Sequence, residues 1–210
     1  MRIIRAGRVL PGTRFRRVRL GRGDLLDPGT PALFPGPAFG FVTAHAFLDL
    51  LPLERALRII RPLLVPGGLL YATLNYDGST LLLPPDRNPA FEQALLAAYH
   101  HSMETRRVGG EPTGGAFSGR RLQAALERGG FRVLGAGSSD WNVFPQGGRH
   151  APGPALFLEA LLGMIAWEGL RAPGIGPGEA EVWWRRRTAE VQAGRLGLVA
   201  HNLDLLAQRA

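Results

Sequence analysis

Residues Phe39 to Gly78 read FGFVTAHAFLDLLPLERALRIIRPLLVPGGLLYATLNYDG. Phe39–Ala44 is a compact apolar run, too short for a helix. Leu53, Ala56, Leu57, Ile60 and Leu64 then recur at helical spacing, with Glu54, Arg55, Arg58 and Arg61 on the other faces. Pro66-Gly67-Gly68 is a stop signal, and Leu69–Leu74 is apolar again, with Tyr71 and Thr73 favouring a strand. Strand, helix and strand joined by a crossover of this length form a βαβ unit, whose strands run parallel with a right-handed connection.

Outward from this unit the chain keeps alternating. A helix is expected over Pro89–Met103, with Phe91, Ala94, Leu95, Ala98 and Tyr99 on one face. A Gly-rich loop over Arg106–Gly119 follows, then a helix over Gly119–Arg128 capped by Ser118, and a strand over Phe131–Ala136. Pro154–Leu170 reads as a strongly apolar helix. Pro177–Ala193 reads as an amphipathic one with Val182, Trp183 and Val191 inward, and Gly194–Leu206 as a last strand. Before the βαβ unit, Met1–Pro11 suits helix turns, Phe15–Leu20 an edge strand, and Gly21–Gly36 a loop. The alternation predicts an α/β fold, mostly parallel, with helices on both faces and an antiparallel last strand allowed.

The 210 residues suit one domain, 1–210, with helical insertions at 84–119 and 150–193 as a cover. The absence of cysteine excludes disulfides, thiolate metal sites and cysteine nucleophiles. No spacing of metal ligands, nucleophile elbow or phosphate loop is present. His100 and His101 are adjacent and so face different ways on a helix. The net charge of +8 resides in the eight arginines that precede Asp24. They suit a polyanion-binding arm or simply a solvated surface; without interleaved aromatics, nucleic acid is not the expected partner. With no signal-like apolar core at the start, and Ala155–Leu170 carrying two glutamates and short for a bilayer, a cytoplasmic protein without membrane contact is expected.

Gly23-Asp24-Leu25-Leu26, the run Phe41 to Leu51, Pro66-Gly67-Gly68 and Thr73 to Gly78 together resemble the second half of a class I S-adenosylmethionine-dependent methyltransferase. "GGFRVL…SSDW" and "LVAHNLDLL" are similar to that family's sixth and seventh strands. The likeness is narrower to a bacterial group with a VTASALLDL…LTYDG pattern. It implies an incomplete Rossmann-like sheet, because the family's glycine-rich loop and the acidic residue that holds the ribose are absent here. A sheet starting at the family's fourth strand would have an exposed edge, suited to a homodimer contact or a second chain.

The resemblance implies S-adenosylmethionine as cofactor and a small molecule as methyl acceptor. It places Asp24, Leu25, Thr43, Ala44 and His45 by the cofactor, with His45 as a candidate base. Asn75, Tyr76, Asp77, Tyr99, His100, Met103 and Trp141 fall on the acceptor side. Asp49 is expected to cap the following helix or face solvent. Alternatives from other classes are a non-catalytic methyltransferase-like partner protein and a polyanion-binding protein.

Overall fold

A computed structural model describes residues 23–27 and 39–210. The expectations for Met1–Pro11 and Phe15–Leu20, and most of the Gly21–Gly36 loop, lie outside the described residues.

The βαβ unit forms as its pattern dictates. Strand β1 (Phe39–His45) leads through a short 3-10 turn (Leu48–Leu50) into helix α1 (Leu53–Ile60), and then strand β2 begins at Leu64. β1 and β2 pair in parallel, Phe41 opposite Leu69 and His45 opposite Thr73. Helix α1 is shorter than expected, because Pro62 tightens Arg61–Leu63 into a 3-10 turn.

β2 departs most from expectation. It runs unbroken from Leu64 to Leu83, through Pro66-Gly67-Gly68 and through Asn75-Tyr76-Asp77-Gly78, both of which read as turns. The last strand, β7 (Gly197–Arg209), lies antiparallel along it from Leu69 opposite Gln208 to Leu83 opposite Gly197. The surplus residues of β2 are absorbed by register shifts between Ala72 and Asn75 and between Tyr76 and Thr80. Leu74 takes a left-handed φ of 56° and donates its N–H to Asp204 Oδ1 at 2.9 Å instead of to the ladder. At the second shift Gly78 has φ +79°, and a Cβ there would stand 2.1 Å from the Phe117 ring, so only glycine fits.

The chain continues with α2 (Pro89–Thr105), a two-residue-per-strand hairpin β3–β4 (Arg107–Val108, Glu111–Pro112), and α3 (Ser118–Arg128). Strand β5 (Phe131–Ser138), strand β6 (Trp141–Val143), and helices α4 (Pro152–Arg171) and α5 (Pro177–Gln192) precede β7. The sheet order is β1-β2-β7-β5, with β6 also on β7. Since β7 enters antiparallel between β2 and β5, only the β1–β2 ladder is parallel. The sheet is therefore mixed rather than mostly parallel among the described residues, although β1, β2 and β5 share one direction.

Two cores follow from this. Leu57 and Ile60 of α1 and Leu122 and Leu126 of α3 pack onto Leu70, Ala72, Phe131 and Leu205 of the sheet. On β1, Val42 and Ala44 join that core, whereas Phe41, Thr43 and His45 alternate to the other side and are exposed. Helices α2, α4 and α5 gather around the far ends of β2 and β7. Leu95, Leu158, Leu162, Ile165 and Trp183 meet Leu82, Val143 and Leu198 there. The expected sandwich of helices on both faces is thus replaced by one helical layer plus a helical cluster at the end of the long ladder.

Helix α4 starts two residues earlier than expected. Its stretch Pro152–Leu170 has the length and hydropathy of a membrane span, yet Leu158, Leu161, Leu162 and Ile165 are inside the second core. On α5, Trp183 and Val191 face inward as expected, but Val182 is exposed.

The second core contains charge. Arg187 is fully buried. Its Nη1 donates to Glu190 Oε2 at 2.6 Å, its Nη2 to Pro84 O at 2.9 Å, and its Nε lies 3.0 Å from Glu92 Oε2. Trp183 Nε1 donates to Glu92 Oε2 at 3.0 Å. Burial raises the Glu92 pKa, against the opposing pull of Arg187 and Trp183. Removing one member leaves the other charged and unpaired, which costs about 3–5 kcal/mol. Arg187→Ala is expected to lose that much by urea unfolding. The double variant Arg187→Met, Glu92→Gln should lose less than Arg187→Ala, because it leaves no buried carboxylate without its cation.

Ser118 does not cap α3: its Oγ donates to Tyr76 O at 3.0 Å. The cap is Asp77, whose Oδ1 accepts from Arg120 N at 3.0 Å and whose carboxylate takes the Arg120 guanidinium in a fork. Burial pushes the Asp77 pKa up, but the hydrogen bonds and charge of Arg120 outweigh it and the pKa lies below the ordinary value. A depressed carboxyl pKa gives stability that is present above the unfolded pKa near ~3.9 and is lost as pH falls through the folded value. Asp77→Asn should therefore be less stable than wild type at pH 7, with the gap closing below pH ~3.9, as read from melting temperature against pH.

Candidate functional site

The carboxyl end of β1 and the register shifts of β2 lie at one end of a cavity of about 330 Å³. Ala46, just past β1, has φ 46° and donates its N–H to Thr73 O at 3.0 Å. Ala46 and Leu74 are the two non-glycine residues with left-handed φ among the described residues, and both line the cavity. Backbone strain of this kind collects at sites where a side chain must be aimed. Here the Ala46 conformation turns the chain into the Leu48–Leu50 segment carrying Asp49, and the Leu74 conformation offsets β2 ahead of Tyr76.

Helices α2 and α4 close the cavity. Tyr99 and Met103 come from α2, and Arg106 from its C-terminal end. Phe157, Leu161 and Met164 come from α4, and Trp141 from β6. The Trp141 and Phe157 rings stack with centroids 4.3 Å apart. The wall is mostly apolar, with polar groups at Asp49, Tyr76, Thr80, Tyr99, Arg106 and Asn202. Its size and character are those of a small-molecule pocket. Two wider clefts, about 550 and 780 Å³, are lined by none of the residues assigned to the cofactor or the acceptor.

The polar groups differ in how far they are already engaged. The Tyr76 hydroxyl is 2.7 Å from both Thr80 Oγ1 and His100 Nε2. Burial pushes the Tyr76 pKa up to about 12 and lowers that of His100, so at neutral pH this is a phenol beside an uncharged imidazole. Asn202 Nδ2 donates to Ala200 O at 2.9 Å. Asp49 is the exception. Its Oδ1 is buried with no hydrogen-bond partner, and it is the cavity-lining residue with such an atom among those described. Burial raises the Asp49 pKa, opposed by backbone N–H groups at Asp49 and Leu50 and by the charge of Arg106. A carboxylate in that position is a strong hydrogen-bond acceptor and a better proton acceptor near neutral pH than an exposed one.

Four of the residues assigned to the acceptor side, Tyr76, Tyr99, Met103 and Trp141, meet on this wall, and His100 stands behind Tyr76. The other two do not line it. Asn75 is buried and donates through Nδ2 to Leu203 O at 2.9 Å, and Asp77 anchors α3.

The cofactor-side residues also lie off the cavity. Asp24 Oδ1 accepts from Leu26 N at 2.9 Å within its own turn, and Leu25 packs on the first core. Thr43 is exposed on the sheet, and Ala44 is in the core. His45 is exposed, with Nδ1 2.6 Å from Thr73 Oγ1, so its base role has no support from cavity geometry. Asp49 was expected at a cap or in solvent. The signal that could have found it is an acid set among Leu48, Leu50 and Leu51 where the chain leaves a strand.

No family model matches the chain, and no curated protein does. Solved structures do, at low identity. A putative methyltransferase from Bacillus halodurans is 14% identical, with a TM-score of 0.45, over 93% of this chain and 73% of that one. The cyclase SpnF is 18% identical, with a TM-score of 0.36, over 90% of this chain and 56% of that one. A geranyl diphosphate methyltransferase in complex with SAM is 11% identical, with a TM-score of 0.40, over 90% and 56%. The chain thus spans between 56% and 73% of the length of these three structures.

Proposed function

We propose that the cavity is the acceptor pocket of an S-adenosylmethionine-dependent methyltransferase acting on a small molecule. The observation that carries this reading is the meeting of Tyr76, Tyr99, Met103 and Trp141 around a cavity at the carboxyl end of β1. Open α/β sheets hold ligands outside the carboxyl ends of their strands. The methyl-transfer part rests on the sequence pattern from Asp24 to Gly78 and at the last two long strands.

Four of the residues assigned to the acceptor line the cavity, whereas those assigned to the cofactor are engaged elsewhere in the protein. S-adenosylmethionine needs partners for its adenine amine, its two ribose hydroxyls and its amino-acid end. Asp24 Oδ1 is used within its turn, His45 is tied to Thr73, and Ala44 is in the core. What these residues would contribute to transfer is therefore positioning. A pocket of this kind would hold the acceptor away from water with its reacting atom toward the β1 end, and such positioning lowers the barrier of a transfer between two bound molecules.

Calorimetric titration with S-adenosylmethionine and S-adenosylhomocysteine tests the cofactor half. Saturable heat is expected with both; none at about 1 mM ligand, weaker than any useful affinity, would reject the reading for this chain alone.

A further inference from the structure

We propose that the cavity takes an aromatic carboxylic acid of about two fused rings, with its rings against Trp141 and Phe157 and its carboxylate held by Arg106 and Tyr99. This rests on reading the cavity as an acceptor pocket and concerns how the ligand is held.

Arg106 follows the last turn of α2 and lines the cavity. Its backbone is fixed at both groups: its N–H donates to Met103 O at 3.3 Å and its carbonyl accepts from Thr113 N at 3.3 Å. Its guanidinium has no hydrogen bond and no ion pair within the described residues. Glu104, two residues earlier, is taken by Arg121 instead. Other arginines beside acids are likewise paired, Arg120 with Asp77, Arg186 with Asp86 and Arg187 with Glu92. The cation left over stands on the cavity wall.

Tyr99, Met103 and Arg106 are spaced by four and three residues, so they share one face of α2, and all three line the cavity. The Tyr99 hydroxyl has no hydrogen-bond partner in the protein and is not among the atoms sealed from solvent. Burial raises the Tyr99 pKa against the pull of the Arg106 charge, so it stays a phenol and donates. Two open donors on one helix face, one of them charged, suit the two oxygens of a carboxylate. A phosphate carries more charge than the single cation among the lining residues offsets.

Asp49 is the acid among the lining residues. Its Oδ1 is sealed and burial favours its protonated form, so it opposes a carboxylate less than an exposed acid would. A cationic ligand would meet Arg106 with no exposed acid on the wall to hold it. Asn202 Oδ1, also open and without a partner, can accept from a further donor on the ligand.

The rest of the wall suits rings. Trp141 and Phe157 offer stacked aromatic surface, and the sulfurs of Met103 and Met164 suit contact with a ring face or edge. Burial of the rings supplies affinity, and the exposed Arg106 selects the acid.

The test titrates 2-naphthoate and its neutral analogue 2-naphthamide separately, by ligand-observed NMR at pH 7, into wild type, Arg106→Leu and Arg107→Leu. Arg107 is exposed and lies off the cavity wall, so it controls for general attraction to a basic surface. The quantity read is the ratio of the amide and acid dissociation constants in wild type divided by that ratio in the variant. A charge-assisted hydrogen bond predicts about tenfold or more for Arg106→Leu and near one for Arg107→Leu. Tyr99→Phe should give a smaller loss of acid preference, and Trp141→Ala should weaken both probes alike. A quotient near one for Arg106→Leu, an equal quotient for Arg107→Leu, or no binding of either probe overturns the proposal. So does wild type that binds naphthamide as tightly as naphthoate, whatever the variants do. Naphthoate preference together with a silent S-adenosylmethionine titration removes the methyl-transfer reading and supports the ligand assignment.

Discussion

The structure depends on the antiparallel ladder between β2 and β7. One stretch of it, Leu69–Ala72 against Leu205–Gln208, carries the first core under α1 and α3. The opposite stretch, Thr80–Leu83 against Gly197–Ala200, carries the second core with α2, α4 and α5. Between the two the ladder is irregular. The shifts between them bend the strand, free the Leu74 N–H for Asp204, and place Tyr76 and Asn202 on the cavity wall. Site and fold therefore share a cause: the pocket is where the ladder is broken.

That cause also explains what could be read in advance. The βαβ unit was legible because its signals are local: apolar period, helix stop, strand propensity. The length of β2 was not. Pro66, Gly67 and Gly78 end strands in isolation, and the partner that keeps this one going arrives more than a hundred residues later. The same distance hides the capping of α3, where Asp77 serves in place of the sequence-adjacent Ser118. Val182 and Trp183 show the limit of helical period on α5. Both are apolar, but Glu92 on α2 gives the indole N–H of Trp183 a buried partner, and Val182 is left outside.

The candidate site divides along similar lines. Tyr76, Tyr99 and Trp141 could be picked out because amphipathic aromatics beside strand ends and on a covering helix have few other uses. Asp49 could not, because an acid is common before a helix and becomes exceptional only when the chain around Gly114, distant in sequence, packs against it. The opposite holds for Asp77 and His45. Polar residues at strand ends attract a functional reading, yet Asp77 is consumed by Arg120 and His45 by Thr73.

Asp49 and the Arg187 cluster set two ways of burying charge side by side. Around Arg187, Glu92, Glu190, Trp183 and the Pro84 carbonyl supply partners, so the cluster joins α2, α5 and the end of β2 as one unit. Asp49 has backbone N–H groups near one side of its carboxyl and nothing on Oδ1. On the same wall the Tyr76 hydroxyl is engaged by Thr80 Oγ1 and His100 Nε2. Arg187 Nε is likewise without a hydrogen-bond partner although it lies 3.0 Å from Glu92 Oε2, so in both places burial of the charge leaves one polar atom incompletely satisfied.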